Sequence, residues 1–224
     1  MKIKIISDMH GMFPDVGEGD MLLICGDNCP LKDHSFWYQK QWIFGSFIPW
    51  LKDVKFKHKI FIHGNHDLIG EDPGFIKDLD LYLDPNNQLC NIKDIYCLQN
   101  RMIEIEGLKI YGTADQPIFC DWAFNKDEDY LVKTYSNIPD DVDILLTHCP
   151  PLGIRDTIRK KTPHLGSGKL KSRVNQLKNL KVHGFGHIHG GYGVLKNGKC
   201  FYVNGSVCNE NYDPINKPIE IVLN

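Results

Sequence analysis

Eight residues of this 224-residue chain combine the right side-chain types and the right spacing to hold metal ions or handle protons. They are Asp8 and His10 in SDMHG, Asp27 in CGDN, Asn65 and His66 in GNHD, His148 in LLTHC, and His187 and His189 in GFGHIHGG. Carboxylate, imidazole and amide ligands together suit borderline divalent ions such as Mn, Fe, Zn, Co or Ni, and no cysteine is needed. The set is larger than one tetrahedral ion requires, which points to two ions sharing a ligand. In an extended segment, residues two apart share a face, so Asp8 with His10, and His187 with His189, are expected to reach one cluster.

Every member lies at or just beyond a predicted strand end, where the loops of an open α/β sheet converge. Residues 2–7 (KIKIIS), MLLIC and HKIFIH each read as a strand, and each runs into one of these blocks. A loop, MFPDVGEGD, separates the first two. DILLTH gives a further buried strand ending in His148, and Leu180, Val182 and Phe185 mark another that runs into Gly186. The aromatic stretch 33–52 has helical length, with Gly45 and Pro49 expected to break it in two and Trp37, Trp42 and Trp50 expected to pack. Residues 71–94 read as a helix and loops, and 95–98, 101–106 and 108–112 as antiparallel strands turning at Glu106-Gly107. QPIFCDWAFN reads as irregular, and 126–137 as a charged helix. The basic segment Arg155 to Lys178 ends in KLKSRVNQL, which has helical spacing and a solvated charged face. A hairpin, GVLK and KCFYVNG, turns at Asn197-Gly198, and PIEIVL closes the chain as a strand. The pattern is α/β, and with no repeat or linker it is most economically one domain over residues 1–224.

Composition narrows the function classes. Formal net charge is -2, so no global basic field advertises nucleic acid or an anionic membrane. The 8 cysteines are scattered through apolar runs and loops without a CxxC, which fits a reduced, cytoplasmic protein better than a disulfide framework. No apolar run has the length of a membrane span, and MKIKIISD does not resemble a signal peptide.

The order D-x-H, G-D, G-N-H-D, T-H and G-H-x-H resembles the calcineurin-like metallophosphoesterase superfamily, with all the blocks in sequence from Asp8 to Asn204. HCPPLGIRD, DWAFN, FGHIHGGYG and YVNGS are similar to the metallophosphoesterase-domain-containing subfamily, grouped with class III cyclic-nucleotide phosphodiesterases. The resemblance implies a four-layer sandwich of two mixed β-sheets flanked by helices. It implies two divalent metal ions, Mn favoured. Asp8, His10 and His189 would hold one, Asn65, His148 and His187 the other, and Asp27 would bridge them. It further implies a metal-bridging hydroxide that attacks phosphorus in line, with His66 as the catalytic group at the leaving oxygen and Asp67 orienting its imidazole. Some members of the subfamily lack the first histidine of G-H-x-H and are poor enzymes, whereas His187 is present here.

After Asp27 the chain reads Asn28-Cys29-Pro30, without the Asp-Arg-Gly of the phosphoprotein phosphatases, whose arginine grips a phosphomonoester. That departure leans the expected substrate toward a small phosphodiester of the (cyclic) nucleotide type. A phosphomonoesterase, a nuclease and a low-activity metal-binding regulator are the alternatives. His63 is expected to pack under the site and Cys149 to be a small buried neighbour, while His34, His58 and His183 carry no motif and default to ordinary positions. His164 is a weaker substrate-facing candidate, and Asn204 matches the subfamily without an assignable role.

Overall fold

The computed structural model describes residues 1–87, 90, 92–159 and 162–223. Residues 88, 89 and 91 of the expected 71–94 loops, residues 160 and 161 of the basic segment, and residue 224 lie outside the described residues. The first half of the chain builds β1 (Lys2–Ile6), β2 (Glu18–Cys25), α1 (Phe36–Trp42), α2 (Ile48–Asp53), β3 (Lys55–Ile62), α3 (Pro73–Leu83) and β4 (Ile95–Cys97). There follow β5 (Arg101–Ile105), β6 (Leu108–Thr113), the two short strands β7 (Gln116–Pro117) and β8 (Asn125–Lys126), α4 (Glu128–Ser136) and β9 (Ile144–Thr147). The remainder is α5 (Gly168–Val174), β10 (Val182–Phe185), β11 (Gly193–Asn197), β12 (Cys200–Asn204) and β13 (Ile219–Val222).

Two large mixed sheets result, ordered β13-β1-β2-β3-β4 and β11-β12-β10-β9-β6-β5. In each, the inner strands are parallel and the antiparallel partners sit at the edges. Alternate residues explain the layering. Ile3, Ile5, Met21, Leu23, Ile60 and Ile62 of the first sheet face Ile110, Ile144, Leu146, Val182 and Val203 of the second. The opposite face of the first sheet, with Leu22, Ile24 and Phe61, packs on Ile48 and Leu51 of α2 and Phe75 and Leu79 of α3. That of the second, with Leu145, Phe185 and Tyr202, packs on Leu131 of α4 and Leu170 of α5. Helix, sheet, sheet, helix: the four-layer arrangement follows because the central strands are apolar on both faces.

Several sequence expectations need correction. The three segments 95–98, 101–106 and 108–112 do not form one antiparallel set. Residues 101–105 and 108–113 do pair antiparallel, but β4 joins β3 in parallel in the other sheet, with Ile95 and Cys97 buried against the α3 layer. Periodicity identifies a strand but not its neighbour. The stretch 33–52 is not broken at Gly45: a single π-helical turn, Ile43–Phe47, carries α1 into α2, and Pro49 follows just after that turn. Trp42 and Trp50 stack on Phe13 as packing residues, but Trp37 is 73% exposed, because the register of α1 turns Gln39 inward instead. The irregular segment 116–125 is opened and closed by β7 and β8, which pair in parallel.

His183 on β10 is fully buried; its Nε2 lies 2.9 Å from Thr147 Oγ1, which donates to the Cys149 carbonyl at 2.7 Å. Thr147 spends its proton on that carbonyl, so His183 is the donor, and the chain of bonds holds the segment around His148. Burial, aided by the charge of Lys171, pushes the His183 imidazole down to about 3. An unfolded histidine takes up its proton near 6.5, so below that pH the unfolded chain binds more protons than the native one and stability falls with pH. Urea unfolding of chelated protein is expected to show about 2 kcal/mol lost from this group between pH 7 and pH 5. A His183→Gln variant should lose that part of the slope. An unchanged slope would place the proton uptake elsewhere.

Candidate metal centre

The parallel strands of both sheets deliver their carboxyl ends to one edge, and the eight ligand-type residues meet there. Asp8, Asn65 and His148 are at most 1% exposed, Asp27 is 2% and His10 5%. The convergence is not the extended-strand geometry expected from the D-x-H and H-x-H spacing. Asp8, His10, Asp27 and His187 all adopt positive φ, between 46° and 65°, and His189 opens a 3-10 turn. Left-handed backbone is costly for residues with a Cβ, and such outliers persist where the surroundings over-determine them. Here it sends the two histidines of H-x-H to different sides. The His187 ring lies 5.1 Å from that of His148, whereas His189 Nε2 lies 3.3 Å from Asp8 Oδ1 and 3.4 Å from His10 Nε2.

Two ligand groups emerge, Asp8 with His10 and His189, and Asp8 with Asp27 and His148, the candidate atoms of each lying within 4.8 Å of one another. Asn65 Oδ1 adds to the second at 2.9 Å from His148 Nε2. Asp8 is thus common to both groups. Asp27 Oδ2 lies 3.4 Å from His148 Nε2 and 3.9 Å from His10 Nε2.

The donor set fits divalent cations. His148 Nδ1 donates to the Cys25 carbonyl at 2.8 Å and His189 Nδ1 to the Asn209 carbonyl at 2.7 Å, which turns Nε2 of each ring toward the centre. Metal-ligating histidines are typically held in this way. Two ring nitrogens, those of His10 and His189, face each other at 3.4 Å, an arrangement a shared cation would satisfy. Electrostatics agree. Burial pushes the Asp8 carboxyl up, but His189 and His148 outweigh it and leave it below the usual range. The same opposition, with His148 foremost, holds Asp27 well below it. Burial disfavours charge on His148 and His189, yet the facing carboxylates raise both to about 9, while burial and the nearby His148 press His187 down to about 3. Divalent ions placed here take over the role of those ring protons.

Backbone approach explains two glycines. A Cβ on Gly64 would lie 2.3 Å from Asp27 N, and one on Gly186 would lie 2.0 Å from Ser7 Oγ and 2.1 Å from Asp8 Oδ2. A support layer sits behind the ligands, part of it drawn from the YVNGS block. Asp8 accepts the His187 N–H at 3.0 Å and the Ser206 hydroxyl at 2.7 Å. Asn204 acquires a role: its Oδ1 accepts the Ser206 backbone N–H at 3.1 Å while its amide donates to the Ile188 carbonyl at 2.9 Å, tying the H-x-H turn to the residue whose hydroxyl meets Asp8. Replacing Ser206 with alanine is expected to weaken metal binding about 10–100-fold with the fold retained, read by chelator competition. Wild-type affinity would mean that the His187 N–H alone holds Asp8.

His66 lies beside the ligands, its N–H donated to Asp27 Oδ1 at 2.8 Å. Asp67 does not orient its imidazole. The Asp67 carboxylate accepts instead from Cys29 N and Gly64 N, both at 2.8 Å, and from the Asn28 backbone and side-chain amides. It is fully buried, and those N–H groups leave it committed to locking the loop after β2 onto the loop after β3. Gln39 of α1, which carries no motif, donates to the His66 carbonyl at 2.7 Å and accepts from Ile69 N at 2.9 Å. His34 faces the His66 ring, so its default as an ordinary position is also corrected. His63 stacks on Phe124 beneath the site. Cys149 is buried but lines the cavity, and His164 is held by Asp156 at 2.6 Å.

The ligands open into a cavity of about 370 Å³ whose lining includes Asp27, Asn65, His66, His187 and His189 together with apolar Ile118, Phe119, Ile158 and Leu165. A larger groove of about 690 Å³ along α3 and β4 shares no residue with it.

Known proteins resemble this chain over most of its length. The family profile described as calcineurin-like phosphoesterase matches residues 1–191. The chain is 39% identical over 234 residues to human metallophosphoesterase domain-containing protein 1, covering 97% of this chain and 69% of that protein, and equally to its mouse counterpart. A Caenorhabditis elegans protein, UPF0046 protein T07D4.2, is 32% identical, with 98% of this chain and 59% of the relative covered. A solved crystal structure superposes with a TM-score of 0.63 at 15% identity, over 91% of this chain and 89% of that one, which bears on the fold. The chain belongs to the calcineurin-like phosphoesterase family.

Proposed function

We propose that this protein is a two-metal phosphodiesterase acting on a small nucleotide-type diester. The observation that carries the reading is the pair of ligand groups that share Asp8, whose members Asp27 and His189 line the same cavity as His66. Asp8, His10 and His189 would hold one ion, Asn65, His148 and His187 the other, with Asp27 between them. When bound, the ions supply Lewis-acid stabilisation of the phosphoryl oxygens and an activated water at neutral pH. The chain's own contribution is orientation. Backbone carbonyls aim His148 and His189, Ser206 and the His187 N–H fix Asp8, and the buried floor keeps the electrostatic interactions strong. His66 supplies an N–H to the departing oxygen.

Two features favour a diester over a monoester dianion. Among the described residues lining the cavity there is no lysine or arginine, and its carboxylates are Asp27 and Glu210. The apolar Ile118, Phe119, Ile158 and Leu165 in the lining suit an organic ester group rather than bulk water. A net charge of -2 gives no support to a nuclease, whose binding would need a basic groove. The eight cysteines are all free, in keeping with a cytoplasmic setting. No helix among the described residues is long and apolar enough to cross a membrane.

The test is metal analysis of purified protein, paired with hydrolysis of bis-p-nitrophenyl phosphate and p-nitrophenyl phosphate after chelation and after Mn is restored. About two ions per chain with Mn-restored turnover of the diester in preference to the monoester is the expected result. Preference for the monoester would move the assignment to a phosphomonoesterase. Bound metal without turnover on either ester would leave a metal-binding regulatory protein.

A further inference from the structure

His66 lacks the carboxylate partner its sequence neighbour suggested, and another side chain faces its ring. His34, in the loop before α1, brings Nε2 to 3.4 Å from His66 Nδ1. The two rings lie with centroids 5.5 Å apart and planes inclined by 37°. Trp122 completes the arrangement, its ring 4.2 Å from His66 and 5.0 Å from His34, so one indole packs on both. Across the site, His10 meets the His66 ring edge-on at 5.1 Å.

A single helix anchors both members of the pair. Asp33 accepts the Ser35 N–H at 2.8 Å, and Ser35 caps α1 by accepting from Tyr38 N at 3.3 Å, which sets the backbone beside His34. One turn further, Gln39 is completely buried and donates to the His66 carbonyl at 2.7 Å. The separation of the two imidazoles is therefore governed by a capped helix rather than by two independent loops. With Nδ1 turned toward His34, Nε2 is the ring nitrogen left for a ligand.

We propose that His34 is a positioning residue for His66, which holds the imidazole so that its Nε2–H meets the departing ester oxygen. The inference rests on the phosphoester-hydrolase reading above. An imidazole free to turn about its last torsion presents that N–H for only part of the time, and a misdirected donor loses much of its effect on the transition state. Occupying Nδ1 fixes both the ring plane and which nitrogen points into the cavity. Trp122 restricts the same rotation by contact. The helix thus gives the aromatic stretch 36–50 a part in the site that its composition alone does not reveal.

Good leaving groups need little help from a donor and poor ones need more, so the role is read from the leaving-group dependence. The Mn-loaded full chain is compared with His34→Ala and His34→Gln on methylphosphonate esters of p-nitrophenol, p-chlorophenol and phenol. For His34→Ala, kcat should fall about tenfold on the p-nitrophenyl ester and about a hundredfold on the phenyl ester. KM and metal content should stay within about twofold, since His34 is not a ligand. His34→Gln, which can still meet Nδ1, should recover most of the loss. A crystal structure of His34→Ala should show the His66 ring rotated from its place between His10 and Trp122. Equal losses on all three esters, no loss at all, or a glutamine variant no better than alanine would each overturn the proposal. Wild-type protein that holds two ions yet hydrolyses none of the three would overturn the hydrolase reading itself, and this role with it.

Discussion

Replacing Asp27 with alanine is expected to remove activity by at least about a thousandfold, equivalent to about 4 kcal/mol of transition-state stabilisation, and to deplete bound metal. The reason is position. Asp27 follows β2 in left-handed backbone, at φ 53°, and its carboxylate lies between His148 and His10 while accepting the His66 N–H. Truncation therefore withdraws charge from the centre and leaves a buried N–H unpaired beside His66, at a cost of about 1–3 kcal/mol in stability. Asp27→Asn separates the two effects. The amide keeps the shape and can still accept from His66 N, so the fold should be retained while metal content and turnover fall. Metal analysis with kcat/KM measurement decides it. Wild-type metal content in Asp27→Ala would remove Asp27 from the ligand set and leave Asp8 as the shared carboxylate.

His66→Ala should behave differently. A loss of about 10²–10⁴ in kcat is expected, with near-wild-type metal content and KM. His66 contributes its backbone N–H to Asp27, which alanine retains, while its side chain packs against Trp122 and faces His34. Removing the ring thus takes away the donor to the departing oxygen but leaves the groups that hold metal. A parallel fall in metal content would make His66 a ligand-shell residue instead. Together the two variants separate a binding centre from the group that acts beside it.

The candidate residues were legible in the sequence because each block pairs a buried strand with ligand-type side chains at its carboxyl end. The apolar runs before Asp8, Asp27, Asn65 and His148 become β1, β2, β3 and β9, and the Asn197-Gly198 turn joins β11 to β12. Such features depend on a few neighbouring residues, whose periodicity and turn chemistry act locally. The α/β class followed from the same signals, and the family resemblance supplied the four layers.

What the tertiary structure alone decided concerns partners distant along the chain. Whether residues 95–97 pair with β3 or with β5 depends on which sheet face needs Ile95 and Cys97, and an isolated apolar run carries no such information. The i, i+2 spacing of D-x-H and H-x-H suggested shared faces, yet the chain reaches the centre through positive φ at Asp8, His10 and His187, enforced by the surrounding packing. Asp67 stands beside His66 in sequence but spends its carboxylate on N–H groups of Asn28 and Cys29, 38 or 39 residues away, because a buried carboxylate must be paired by whichever donors the fold brings. For the same reason His34 and Gln39 could not be read from motifs, and DWAFN and YVNGS contain Trp122 and Ser206 without showing what each touches. Ligand identity is set by side-chain chemistry, which sequence displays directly; aim is set by hydrogen bonds that close only when β1, β3, β10 and α1 meet at one edge.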